Sequence, residues 1–162
     1  MTAEAGRWYI LRVRLGFESL VASILKKQQI PVFFPPYHDA TRNPDESGTW
    51  AFRGYVLARF SIIDCNSVEK IPGVLCVAGV PKPVPIGDLE IDALQTAIGA
   101  GLHLKVFPLL TDYHEGRVST GPLQDHTGSF FKHKSGWYFA IPIPAIERTF
   151  AFAMPELSVG LN

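Results

Sequence analysis

The stretch FRGYVLARF, residues 52–60, decides how the first half of the chain folds. Its aromatic and β-branched residues favour a strand, in which side chains alternate between two faces. One face is wholly apolar and carries Val56, Ala58 and Phe60. The other face, which carries Tyr55, Leu57 and Arg59, is apolar with a charge at its end. Both faces of this strand are therefore largely apolar.

A second stretch, WYILRVRL at residues 8–15, repeats the same alternation. Its apolar face carries Tyr9, Leu11, Val13 and Leu15. Its other face carries Trp8, Ile10, Arg12 and Arg14. We expect both strands to lie in one antiparallel sheet with helices on a single face, the wholly apolar one. The opposite face would then stay free, apolar at its centre and basic at its margin.

Two helices are predicted to cover the apolar face. FESLVASILKKQQ, residues 17–29, spaces its apolar residues along one helical stripe, and DLEIDALQTAI, residues 88–98, does the same. Between them we expect a proline-broken strand from residue 32, a polar loop at 41–50, a short helix at 64–71 and a strand from residue 74.

The second half has a different pattern. Residues 99–115 have no sustained period and are predicted to be an interdomain linker. Beyond it, short apolar segments separated by turns predict a small β-barrel over 116–162. The domains predicted from the sequence are therefore 1–98, a linker at 99–115, and 116–162.

The composition limits the classes of function. Among 162 residues, 15 Lys and Arg balance 15 Asp and Glu, so the basic footprint of a dedicated nucleic-acid binder is absent. The N-terminal residues lack an export pattern, and no 18-residue apolar run occurs. We expect a cytoplasmic monomer with no membrane contact, and Cys65 and Cys76 as reduced thiols.

No catalytic motif is present, so the chain is predicted not to be an enzyme and to need no cofactor. The one candidate metal set is His114, Asp125, His126 and His133. Its spacing matches no common zinc motif, and solvated loop residues are the favoured interpretation, so no metal site is predicted.

The aromatic strand also invites comparison with RNA-binding sheets. FRGYVLARF matches the RNA strand consensus at Arg53, Gly54, Tyr55 and Phe60, but it lacks an aromatic residue at a stacking position. Leu57 beside Tyr55 is better suited to receive an apolar side chain from another protein. One alternative is that the linker or the second domain covers this face. Another is an RNA- or ribosome-binding module that uses the sheet aromatics and the barrel.

The order of these motifs resembles the NusG family of transcription elongation factors. The resemblance rests on WYILRVRLGFES, FRGYVLARF, IPGVLCVAG, PKPVPIGDLEIDAL and VSTGPLQDHTG, and it spans nearly the whole chain. It implies an α+β, ferredoxin-like NusG N-terminal (NGN) domain followed by an SH3-like KOW barrel.

The resemblance also implies a function and a set of contacts. The NGN domain would dock on the clamp helices of RNA polymerase and suppress pausing or termination, and the KOW domain would bind Rho or a ribosomal protein. The implied clamp contacts are Ile10, Arg12, Phe52, Tyr55 and Leu57. A second polymerase contact falls near Asn66 and Ser67. Upstream DNA would meet the helix at 17–29, with Arg14, Lys26 and Lys27 as the basic residues.

Several positions depart from the family pattern. Arg53 replaces a usual proline, Arg12 stands where some relatives have an aromatic residue, and Gly116 and Asp125 weaken the KOW signature. These departures indicate a specialised paralogue for antitermination on selected operons. Some such paralogues refold the barrel as a helical hairpin; the β-rich segments here favour a barrel, and HKSGWYFAIPI leaves switching open.

Overall fold

The structure is a computed structural model that describes residues 6–34, 52–134, 136–155 and 159–161. The strands are β1 (Arg7–Val13), β2 (Val32–Phe33), β3 (Tyr55–Phe60), β4 (Val74–Val77), β5 (Leu104–Pro108), β6 (His114–Val118), β7 (Thr127–His133), β8 (Gly136–Ile143), β9 (Arg148–Met154) and β10 (Val159–Leu161). The α-helices are α1 (Glu18–Lys27), α2 (Cys65–Glu69) and α3 (Asp88–Gly99). Single 3-10 turns lie at Ile62–Asp64 and Pro144–Ile146.

The first sheet has the order β2-β3-β1-β4 within the described residues, and its pairs are antiparallel. The two stretches singled out in the sequence are its central strands. Their register places Ile10 opposite Leu57 and Arg12 opposite Tyr55. Residues opposite each other share a face, so the alternation predicted from the sequence is present.

One face of this sheet is covered by α1 and α2. Their buried side chains form a cluster with the wholly apolar faces of β1 and β3: Tyr9, Leu11, Val13, Val21, Ala22, Leu25, Val56, Ala58, Phe60, Val68, Ile71 and Val77. The prediction that the first helix covers this face is therefore confirmed.

The prediction that both long helices share one face is wrong. Ile91, Leu94 and Ala97 of α3 are buried in a cluster with Ile10 and Leu57, on the opposite side of the sheet. The connector before α3 explains this placement, since backbone hydrogen bonds tie it to β1 at Ile10 and Trp8. Because α1 and α2 already fill the other face, α3 completes the second one.

The second sheet has the order β10-β6-β7-β8-β9-β5 among the described residues. The short strands that the sequence predicts over 116–162 correspond to β7, β8 and β9, whereas β6 begins earlier, at His114. Within residues 99–115, which the sequence predicts to be an interdomain linker, the structure contains β5, which pairs with β9 from Leu104 opposite Phe152 to Pro108 opposite Arg148. A short segment whose partners lie 40 to 48 residues further along the chain gives little local signal. Closure into a barrel stays a prediction, because the described pairing does not link β5 to β10.

Some expectations lie outside the described residues, namely the polar loop at 41–50 and most of the proline-broken segment that precedes it. None of the helices in the described ranges combines the length and apolar content needed to cross a membrane.

A buried carboxylate fixes the entry into β3. Glu18 is 2% exposed, and it accepts hydrogen bonds from the backbone N–H groups of Gly16 at 2.6 Å and Gly54 at 3.1 Å. Gly54 has φ +84, a conformation that favours glycine, and its carbonyl accepts from the N–H of Val13 at 2.9 Å. Glu18 therefore joins the start of α1 to the turn that leads into β3.

Glu18→Gln should lower the free energy of unfolding by about 1–3 kcal/mol, because an amide NH₂ would face a backbone N–H in a buried site. Urea denaturation at pH 7 measures the change. The matched control is Glu115→Gln on the exposed surface of β6, expected to change stability by less than about 0.5 kcal/mol. Equal losses in both variants would contradict this role of Glu18.

Candidate functional site

The candidate surface is defined by Ile10, Arg12, Phe52, Tyr55 and Leu57, the residues that the sequence proposes as a partner contact. The pairing of β1 with β3 brings the four strand residues onto one face as two opposed pairs. Phe52 joins Ile10 and Leu57 in the same buried cluster. These five residues are therefore close together in the structure, although some side chains are exposed to solvent and others are fully buried.

Arg12 and Tyr55 form the accessible margin of the candidate surface. Arg12 is exposed and Tyr55 is half-buried. The Arg12 guanidinium lies 5.8 Å from the centre of the Tyr55 ring, and its Nη1 donates to the Tyr55 hydroxyl at 3.4 Å. A planar guanidinium against an aromatic ring is a stable surface arrangement that still leaves N–H donors for a partner.

The apolar centre of the surface is covered, and the expectation that this face stays free is wrong for this arrangement. Ile10, Phe52 and Leu57 are each 0% exposed. The ring centre of Phe52 lies 5.9 Å from that of Phe33 and 5.5 Å from that of Phe150, both in edge-on contacts. Phe150 belongs to β9, so the second sheet itself covers this part of the first.

The cover has two sources. From α3 come Ile91, Ala93, Leu94 and Ala97. From the second sheet come side chains that include Phe130, Phe139, Phe150 and Phe152. The face is therefore covered by the second sheet, as one alternative expected of the later part of the chain, and also by α3. Strand alternation identifies which side chains share a face, but it does not identify what packs on that face.

Polar contacts accompany this cover. His126, in the turn between β6 and β7, contacts Asp92 of α3, with Nε2 3.2 Å from Oδ2. Its Nδ1 lies 3.1 Å from the carbonyl oxygen of Leu123. Arg59 of β3 pairs with Asp88 of α3 at 3.4 Å. Sequence reasoning missed both pairs, because neither has a local pattern.

The second proposed polymerase contact lies elsewhere. Asn66 and Ser67 are exposed on α2, which packs on the opposite side of the first sheet through Val68. The structure therefore does not bring them together with Ile10 and Leu57.

The proposed nucleic-acid residues lie at the two ends of α1. Arg14 is exposed before the helix, with its guanidinium 5.5 Å from the ring centre of Phe17. Lys26 and Lys27 lie in the last turn and line an open depression of about 480 Å³ together with Ser19 and Ser23. The helix is roughly 15 Å long at 1.5 Å per residue, so the basic residues do not form one cluster.

The four residues considered as metal ligands are engaged separately. His114 packs edge-on against Trp137, with ring centres 5.6 Å apart, and His133 packs against Phe107 at 5.2 Å. Asp125 pairs with Arg117 at 2.8 Å, and His126 contacts Asp92. Across the described ranges, no group of three or more His, Cys, Asp or Glu side chains is arranged to hold a metal ion.

Comparison with known proteins decides the family. A family model described as "Transcription termination factor nusG" matches residues 6–95, which is more than half of the chain. The chain belongs to the NusG family. It is 31% identical to the transcription termination/antitermination protein NusG of Haemophilus influenzae, over 79% of this chain and 78% of that protein. It is 29% identical to the protein of the same description from Pasteurella multocida, over 79% of each chain.

A solved structure supports the fold. The structure described as "Domain interaction in Thermotoga maritima NusG" matches with a TM-score of 0.50 and 19% identity, over 94% of this chain and 95% of that one. This likeness shows the mixed α/β fold with its two antiparallel sheets. The NusG resemblance inferred from the sequence is thereby confirmed at the level of the family.

Cys65 lies beside the second proposed contact and should be unreactive. Burial, followed by the hydrogen bond to Glu69 and the charge of that carboxylate, raises the pKa of the Cys65 thiol to about 11. At pH 8 only about one thiol in a thousand would be ionised, and the thiolate is the nucleophile.

In a Cys76→Ser background, iodoacetamide should alkylate Cys65 slowly at pH 8, and Glu69→Gln should raise the rate severalfold, because the neutral amide lacks the negative charge that disfavours the thiolate. Mass spectrometry over time measures the rate. Asp112→Asn, a distant exposed carboxylate, serves as the control and should leave the rate unchanged. An unchanged rate in Glu69→Gln would contradict the stated cause.

Proposed function

We propose that this chain is a transcription elongation or antitermination factor that binds the clamp helices of RNA polymerase and suppresses pausing or termination. Its membership of the NusG family and the names of its curated relatives support a role in transcription. The observation that carries the proposal is the apolar candidate surface, with Ile10, Phe52 and Leu57 at its centre. Aliphatic and aromatic side chains packed at the centre of a contact, with an Arg and a Tyr at the margin, are typical of protein interfaces.

The division of the chain belongs to this proposal. Residues 1–98 would be the NGN domain, residues 99–115 the connection and residues 116–162 an SH3-like KOW domain. The connection contains β5, so it would move with the second sheet. The KOW domain would offer Rho or a ribosomal protein a second site, and the departures at Gly116 and Asp125 fit a specialised paralogue.

Because the centre of the candidate surface is covered, binding of polymerase would require a conformational change first. Clamp helices would reach the part of the candidate surface that the second sheet covers, including Phe52, only after that sheet moves away, while α3 stays on the first sheet. The observed affinity is then the intrinsic affinity reduced by the fraction of molecules that are open. Arg12 and Tyr55 are accessible before that movement, so they would make the first contact with polymerase.

Two further contacts complete the proposed assembly. Asn66 and Ser67 would meet a second polymerase wall from the opposite side of the sheet. Arg14, Lys26 and Lys27 would meet upstream DNA, a contact that should weaken with salt because it releases counterions. The chain would act as a monomer in the cytoplasm, without a cofactor.

Tyr55→Ala should weaken binding to core RNA polymerase by about tenfold or more, because an aromatic anchor at an interface margin or centre commonly contributes at least about 1.4 kcal/mol. Tyr55 is half-buried, so its truncation leaves most of the first sheet's packing intact. Binding of the full chain to purified core polymerase, measured by interferometry, gives the affinity.

Leu75→Ala is the matched control. Leu75 is 62% exposed on β4 of the same sheet and lies outside the candidate surface, so its truncation should leave the affinity unchanged. Equal affinities for Tyr55→Ala, Leu75→Ala and the parent chain would overturn the proposed contact. Circular dichroism of each variant confirms that the fold persists.

A further inference from the structure

We propose that Arg12 gives the candidate surface its specificity by pairing with a carboxylate of the partner protein, and that Tyr55 holds the guanidinium in position for this contact. The inference rests on the proposed function, because the partner is then the clamp-helix segment of RNA polymerase. It adds the chemistry that the partner must supply, namely an Asp or Glu side chain beside an apolar contact.

Arg12 is a cation without a neighbouring acid in its own sheet. Its partners on the two adjacent strands are Tyr55 on β3 and Cys76 on β4. Within the described residues, the four strands of this sheet contain no Asp or Glu. The ion pairs found in the described part of the chain all involve other side chains. The charge of Arg12 is therefore available to a partner.

Tyr55 restricts the position of this charge. The guanidinium carbon lies 5.8 Å from the centre of the Tyr55 ring, and Nη1 donates to the hydroxyl oxygen at 3.4 Å. The remaining N–H groups of the planar guanidinium can bind both oxygens of a carboxylate. Because the ring already holds the long Arg12 side chain, less conformational entropy would be lost when the carboxylate binds.

The apolar neighbourhood makes a counter-charge necessary once a partner has bound. Tyr55 packs against the cluster that contains Phe52. A partner seated over Phe52 and Tyr55 would therefore remove water from one side of the Arg12 guanidinium. A charge that loses water without gaining a counter-charge costs free energy, and a hydrogen-bonded carboxylate offsets that cost. A partner with an acid at this position would thus be favoured over one with an apolar residue there.

A DNA phosphate could also neutralise Arg12, but the surrounding side chains favour a protein. The surface continues from Arg12 through Tyr55 to Phe52, two aromatic rings that match no group of the phosphate backbone of duplex DNA. A helix that carries an acid beside apolar side chains matches both the charge and the rings. Aromatic and arginine side chains together are also typical of protein–protein interfaces.

Binding kinetics of Arg12 variants with purified core RNA polymerase, in the absence of DNA, test the pairing. Arg12→Gln should lower the association rate constant about three- to tenfold and reduce its dependence on salt, because a charge at the margin of an interface steers association. Arg12→Lys keeps the charge, so association should change by less than about twofold. Its dissociation should be about three- to tenfold faster, because an ammonium group lacks the planar pair of N–H donors.

Arg7→Gln is the matched control. Arg7 is an exposed arginine on the same strand, five positions before Arg12, so alternation places it on the other face. At physiological salt, its loss should change the association rate constant by less than about twofold, since the charge lies outside the contact and is screened. Circular dichroism of each variant confirms that the fold persists.

A charge exchange identifies the carboxylate. Arg12→Glu should weaken polymerase binding by about tenfold or more, because like charges would then face each other. Replacing the matching Asp or Glu of the clamp helices by Lys should weaken binding of the parent chain and restore binding of Arg12→Glu. If no such replacement among the clamp-helix carboxylates restores binding, the pairing is overturned.

The outcomes separate this inference from the proposed function. If Tyr55→Ala weakens polymerase binding while Arg12→Gln and Arg12→Glu do not, the pairing is overturned and the proposed function stands. If Arg12→Gln weakens binding to a short DNA duplex and leaves polymerase binding unchanged, the counter-ion is a phosphate and the pairing is overturned. A parent chain that does not bind core polymerase at all would overturn the proposed function and the pairing with it.

Discussion

A sheet whose central strands are apolar on both faces must be covered on both sides. This constraint accounts for most of the structure. In β1 and β3, Leu11 and Val56 lie on one face while Ile10 and Leu57 lie on the other, and all four side chains are fully buried. The helices α1 and α2 cover the first face, whereas α3 and the second sheet cover the second. Two sheets of different connectivity thereby share one hydrophobic core.

In the proposed function, a partner protein would replace part of the cover on the face that carries Ile10 and Leu57. Burying a Leu, Ile or Phe side chain stabilises a protein by about 1.5–3 kcal/mol, so loss of the second sheet's share of the cover, including Phe150 against Phe52, would cost about that much for each side chain exposed. The hydrophobic effect is not directional, and another apolar surface of matching shape can replace the first. In the proposed function, the polymerase clamp helices replace the second sheet. The intramolecular cover then protects the surface between rounds of binding, and it also sets how readily polymerase gains access.

The sequence predicted those features that depend on local periodicity. Alternation in FRGYVLARF and WYILRVRL identified both central strands and the side chains that share each face, and the apolar stripes located α1 and α3. It failed where the answer depends on distant partners. The apolar stripe of α3 could pack on either face of the first sheet. The backbone hydrogen bonds between its connector and β1 determine which face it covers. The strand β5 becomes recognisable only beside β9.

The candidate site shows the same limit. The sequence proposed a surface containing Ile10 and Leu57, and the structure places these residues opposite each other. The sequence alone could not show that Phe150 contacts Phe52, nor that His126 contacts Asp92, which is 34 positions away in the chain. Such contacts are set by the packing of one sheet on another, for which a single sequence has no period or motif.

The central claim is that the covered surface is the polymerase-binding surface. A cleavable bismaleimide joining Asp92→Cys to His126→Cys, in a Cys65→Ser and Cys76→Ser background, would hold the two sheets together. The measurement is the affinity of the full chain for core RNA polymerase before and after the linker is cleaved. The account predicts that the linked chain binds weakly or not at all and that cleavage restores binding. Equal affinities in the linked and cleaved states would contradict it.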